Sequence, residues 1–82
     1  MATVYVLSSK GDRQVRWDRD GVATADPEAL AAVAEAEALF ERERGRGSTA
    51  FKLLPGEPAE RIEAFDRTAD EIVIVPRMVG GA

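Results

Sequence analysis

The run Glu71-Ile72-Val73-Ile74-Val75 constrains this chain more than any other stretch. A continuous β-branched run is the signature of a strand buried on both sides, and such a strand belongs in the middle of a sheet. It is also the last regular element of the sequence. A closing strand in that position needs partners on both flanks, and the natural one is the first strand, lying parallel to it with a helix crossing one face.

The start of the chain supplies that first strand. Thr3 to Ser9 is rich in β-branched and aromatic residues, and Ser8-Ser9-Lys10-Gly11-Asp12 carries turn chemistry. Gln14 to Asp18 alternates, with Val15 and Trp17 on one face, so the opening residues read as a β-hairpin. Trp17, the largest apolar side chain, is expected to pack under the helix. Asp18-Arg19-Asp20-Gly21 reads as a closing turn. It begins like a calcium loop, but the later positions hold Ala23, Ala25 and Pro27 and no closing glutamate follows.

The helix is announced by Asp26 as N-cap, Pro27 at the first position and Glu28 in the first turn. Ala29, Ala32, Val33, Ala36, Leu39 and Phe40 fall on one arc, Glu28, Glu35 and Arg42 face away, and Gly45-Arg46-Gly47 ends it. Thr49 to Leu54 alternates again, with Phe51 and Leu53 as the expected inward pair, and Pro55-Gly56-Glu57-Pro58 breaks it. Ala59 to Phe65 fits either a short helical turn or a minor strand. Glu57, Glu60, Glu63 and Asp66 recur at threes, as on a solvated helix face. Asp66-Arg67-Thr68-Ala69-Asp70 reads as a polar turn tied by Asp66 or Thr68 to its own backbone.

Composition excludes much chemistry. With neither cysteine nor histidine, the chain has no disulfide, thiolate nucleophile, imidazole base or zinc finger. A net charge of −4 with arginines interleaved among acids argues against nucleic acid. Met1-Ala2-Thr3-Val4-Tyr5 lacks the features of a signal peptide, no apolar run is long enough for a membrane span, and a cytoplasmic location is expected. Eighty-two residues make one small domain.

Directly after the closing strand comes Pro76-Arg77-Met78-Val79-Gly80-Gly81, with Ala82 beyond it. Two adjacent glycines at a chain end make no turn and cap no helix. Lacking Cβ atoms, they form an arm thin enough to thread a narrow channel and present a carboxylate there. The expected division is a folded body over 1–76 and a tail over 77–82. The apolar residues Leu7, Leu30 and Leu54 are left over for a patch on the sheet or its rim.

The element order and the run Ile72 to Gly81 together resemble the ubiquitin-like β-grasp superfamily. The likeness is strongest to its bacterial sulfur carriers and protein modifiers, which end in a strand, a proline and Gly-Gly. The order covers the whole chain, and the specific match covers about the last ten residues. The resemblance implies an α+β fold, a mixed sheet of four to five strands with one helix across one face. It also implies a non-enzymatic protein whose terminal glycine carboxylate is adenylated by an E1-like adenylating enzyme using ATP. The activated carbonyl then goes to a sulfur acceptor enzyme as thiocarboxylate, or to an amine of a target protein. Carried over, Gly81 is the activated residue, Gly80 its small neighbour, and Pro76, Arg77, Met78 and Val79 the arm the activating enzyme holds. Ala82 departs from that pattern, so the implied route needs a peptidase to remove it. Some phage tail-assembly proteins carry a β-grasp region with a similar Ile-Val-Pro-Arg stretch. The alternative reading is an interaction or assembly module whose tail only docks.

Overall fold

The computed structural model describes residues 1–7 and 13–76. The order is β1 (Ala2–Val6), β2 (Arg13–Trp17), α1 (Arg19–Ala23), α2 (Pro27–Gly45), β3 (Thr49–Leu53), β4 (Glu60–Ile62) and β5 (Glu71–Val75). The strands form one five-stranded mixed sheet in the order β2-β1-β5-β3-β4. β1 and β5 run parallel, and the other three pairings are antiparallel. The last strand is thus central, as its β-branched composition requires, and the opening pair is a hairpin. The turn residues Ser8 to Asp12 lie outside the described residues.

Register sorts the side chains onto two faces. Ala2, Val4 and Val6 of β1 stand opposite Trp17, Val15 and Arg13 of β2. Val4 and Val6 also stand opposite Ile72 and Ile74 of β5, and Ile74 faces Ala50 of β3. On this inner face Ala2, Val4, Val6, Trp17, Ala50, Ile72 and Ile74 are buried, together with Val33, Ala36, Leu39 and Phe40 of α2. The small residues on the helix arc let α2 approach the sheet closely. Glu28, Glu35 and Arg42 are exposed on its far side. Pro27 sits at the helix start, and Gly47 turns the chain away with φ 89°.

Trp17 is fully buried as expected, and its Nε1–H donates to the Arg67 carbonyl at 3.1 Å. Phe65 lies 5.4 Å from the Trp17 ring and 5.7 Å from Phe40, so the irregular return after β4 contributes to the core. Ala59 to Phe65 resolves into the minor strand β4, which pairs with β3.

Four expectations are corrected. Asp18 to Gly21 is not a turn: Asp18 caps the short helix α1, its carboxylate accepting from the Asp20 N–H at 3.0 Å. Gly21 packs against α2, and a Cβ placed there would stand 2.7 Å from the Ala29 Cβ. Phe51 and Leu53 do not point inward. Ala50 occupies the fully buried position, because it stands opposite Ile74, while Phe51 pairs with Val73 on the other face. The Ile72–Val75 run is covered on one side only: Ile72 and Ile74 are buried, whereas Val73 is half-buried and Val75 is 37% exposed. Finally, Glu57, Glu60, Glu63 and Asp66 form no helical face. Glu60 is on a strand, and Asp66 begins a turn in which its carboxylate accepts from the Thr68 N–H at 2.9 Å.

Candidate functional site

Of the residues named for the tail, the described structure reaches only Pro76, half-buried directly after β5. Arg77, Met78, Val79, Gly80, Gly81 and Ala82 lie outside the described residues. What the fold establishes is where the tail is attached. β5 is hydrogen-bonded to β1 on one side and β3 on the other, and its last residue, Val75, stands opposite Thr49. The Leu7 N–H donates to the Ile74 carbonyl at 3.0 Å, continuing the parallel ladder to the rim. The chain therefore leaves from the central strand of the sheet, with two ladders holding its base.

The sheet face opposite the helix lies beside that exit. One row of partners crosses it as Gln14, Tyr5, Val73, Phe51 and Arg61. The next row toward the exit holds Val75 and Thr49, with Leu7, directly after β1, 41% exposed. Tyr5, Val73 and Phe51 are half-buried. The result is an apolar strip along β5, flanked by Gln14 and Arg61 at the sheet edges and running toward Pro76. Alternation alone does not reveal it, since the sequence pattern assigns Phe51 to the core. The one available signal was the continuity of Ile72–Val75, which needs cover on both faces and finds it on one.

The three leftover leucines separate. Leu7 joins the strip. Leu30 is 38% exposed on α2, away from the sheet. Leu54 lies at the far end of the outer face, where it lines a hollow with Met1, Thr3, Leu53, Pro55 and Glu71.

The start of β3, beside the end of β5, is also tied to the helix terminus. Glu43 is 5% exposed, its carboxylate accepting from the Ser48 hydroxyl and from Arg46, each at 3.3 Å. Ser48 leads straight into β3 beside Val75, so this lock sets where the rim of the sheet stands. Arg42 and Arg44 complete the last helical turn. A buried carboxylate at a helix C-terminus opposes the helix dipole, and the two donors offset it.

One charged cluster stands apart. Lys52 points to the inner side of β3, opposite Ile72, with its Nζ 3.1 Å from Asp66 and 3.4 Å from Glu60. The Thr68 hydroxyl and backbone N–H, with Lys52, hold Asp66 below the usual carboxylate range. Asp66 and then Glu60 hold Lys52 above the usual ammonium range.

Among the described residues no helix is long and apolar enough to cross a membrane. Compared with protein-family models, curated proteins and solved structures, the chain matches none.

Proposed function

We propose that this chain is a ubiquitin-like protein with a β-grasp fold that acts through its own C-terminal carboxylate. The strand order, the parallel β1–β5 pair and the single long helix across one face support the β-grasp reading. In this reading a peptidase removes Ala82, an E1-like adenylating enzyme activates Gly81 with ATP, and the acyl group passes to a sulfur acceptor or to an amine of a target protein. The chain itself is not an enzyme and supplies no catalytic side chain. Pro76 to Val79 are the arm, and Gly80 is the slim neighbour that a buried site requires.

The observation that carries the proposal is the exit of the chain from the central strand, alongside a partly exposed apolar strip. A carboxylate that must reach an ATP phosphate inside another protein needs a firm base and a surface to hold. Tyr5, Val73, Phe51, Leu7 and Val75 provide that surface. The test is to mix the form ending at Gly81 with an adenylating enzyme encoded nearby and ATP. Pyrophosphate release is expected, and its absence, with the enzyme active on another substrate, refutes the proposal.

The strip also favours a second reading, a β-grasp interaction or assembly module whose face and tail only dock. Intact mass of the protein from its native host separates the two. A species ending at Gly81 supports activation, and retention of Ala82 supports docking.

A further inference from the structure

Transfer of an activated carboxyl group to another protein ends on an amine, and this chain contains few of its own. Of its eleven basic residues only Lys10 and Lys52 are lysines. Lys52 is the one within the described residues. We infer that Lys52 is closed as an acyl acceptor, so that copies of this chain are not joined to one another through it. The inference rests on the proposed activation at Gly81 and concerns what that activation can produce.

The chemistry sets a clear demand. Nζ attacks the Gly81 carbonyl carbon and a C–N bond forms. The bond from that carbon to the phosphate oxygen of AMP, or to a carrier thiol sulfur, breaks, and the electron pair leaves with that group. One proton leaves the nitrogen. The attacking amine must therefore be neutral, with its lone pair free and space for the tetrahedral centre.

Lys52 fails the first two of these conditions. Its ammonium sits between Asp66 at 3.1 Å and Glu60 at 3.4 Å, and the Asp66 carboxylate is itself fixed by the Thr68 hydroxyl at 2.6 Å. The side chain is 21% exposed, its stem running along the inner side of β3 between β4 and the turn at Asp66. Both carboxylates favour the charged form. To reach an incoming carbonyl the side chain would have to release both partners at once.

The test needs no enzyme. The full-length native protein is treated with limiting N-hydroxysuccinimidyl acetate at about pH 8 in the presence of N-acetyl-lysine, and acetylation at each site is quantified by mass spectrometry. Lys52 is expected to react several-fold more slowly than the free compound, because its ammonium is held between Asp66 at 3.1 Å and Glu60 at 3.4 Å and both must let go before the nitrogen can attack. In concentrated urea the same residue is expected to match the free compound. Glu60→Gln, and Glu60→Gln combined with Asp66→Asn, are expected to raise the native rate stepwise, and circular dichroism checks that the variants are folded. Native Lys52 reacting as fast as N-acetyl-lysine overturns the inference. That result leaves pyrophosphate release, the test of the proposed function, untouched, so the two failures are distinguishable. Where conjugation is reconstituted, a Gly81–Lys52 isopeptide between two copies overturns it equally.

Discussion

The phase of β3 decides which face of the sheet is open, and a pair of adjacent substitutions tests it. Ala50 is fully buried between Ile74 and Ile62, whereas Phe51 is half-buried on the outer face between Val73 and Arg61. Ala50→Leu pushes three extra carbons into a position already filled by its neighbours, and overpacking of this kind costs about 1–3 kcal/mol. Phe51→Thr introduces a β-branched residue, which suits a strand, and removes a ring covered only in part; loss of its cross-strand contact with Val73 costs about 0.2–1 kcal/mol. In a domain of this size 1 kcal/mol moves Tm by about 4–8 °C, so the two variants should be well separated. The assay is urea or thermal unfolding followed by the fluorescence of Trp17, the only tryptophan and a fully buried one. Were Phe51 the inward residue, its truncation would cost about 3–5 kcal/mol and Ala50→Leu would be tolerated. That reversed order refutes both the register and the open strip built on it.

Four further outcomes are expected. Gly21→Ala should destabilise by about 1–3 kcal/mol despite alanine's higher helix propensity, because the new Cβ meets the Ala29 Cβ at 2.7 Å; Ala25→Gly should instead stabilise by up to about 1 kcal/mol, relieving a left-handed φ of 59°. Trp17→Phe should cost about 1–3 kcal/mol in a urea titration monitored by circular dichroism, since it leaves the Arg67 carbonyl without the indole donor. Stability should form a plateau in pH. Asp66 is held low in the folded state, so its contribution is present above about pH 4 and lost as pH falls through the folded value. Lys52 is held high, so its contribution is present below about pH 10 and lost as pH rises through the folded value. Asp66→Asn should flatten the acid limb and Lys52→Met the alkaline one, as read from unfolding midpoints across pH.

Where the sequence pattern was long, it was legible. The arc from Ala29 to Phe40 spans several helical turns, and its residues are the ones that pack inward. The hairpin and the central strand follow from β-branched runs that tolerate few other positions. Thr49 to Leu53 is short enough to offer two alternations, and hydrophobicity favours the wrong one. What overrides it is volume: Phe40, Phe65 and Ile62 already fill the space above β3, so the inward position takes alanine. Lys52 points the same way because its partners, Asp66 and Glu60, are supplied by segments far from it in pattern though near in space. The helix at Arg19–Ala23 was hidden by a glycine in its centre, which suits a turn equally well until the approach of Ala29 is known. The Glu43–Ser48 lock carried no periodic signal at all.

A small domain cannot cover both faces of a five-stranded sheet with one helix, so one face must be left to solvent or to another molecule. Solvent would favour polar residues there, and the edges comply, with Gln14, Arg16 and Arg61 exposed. The middle does not: Tyr5, Val73 and Phe51 lie side by side on the three inner strands and lead through Leu7 and Val75 to the point where the chain leaves the sheet. An apolar middle set against the chain's exit is what a partner gripping both would need. Its contact with the strip would fix the body in one orientation, and the central strand, held by a ladder on each side, would then fix the direction in which the tail begins. Replacing Phe51 should therefore weaken that grip while leaving the fold nearly as stable, the combination expected of a residue retained for a partner. If the chain is activated as proposed, pyrophosphate release measured with Phe51→Thr, at rising concentrations of the form ending at Gly81, would show it as a higher half-saturation with the maximal rate preserved. An unchanged half-saturation would mean that the tail alone is recognised.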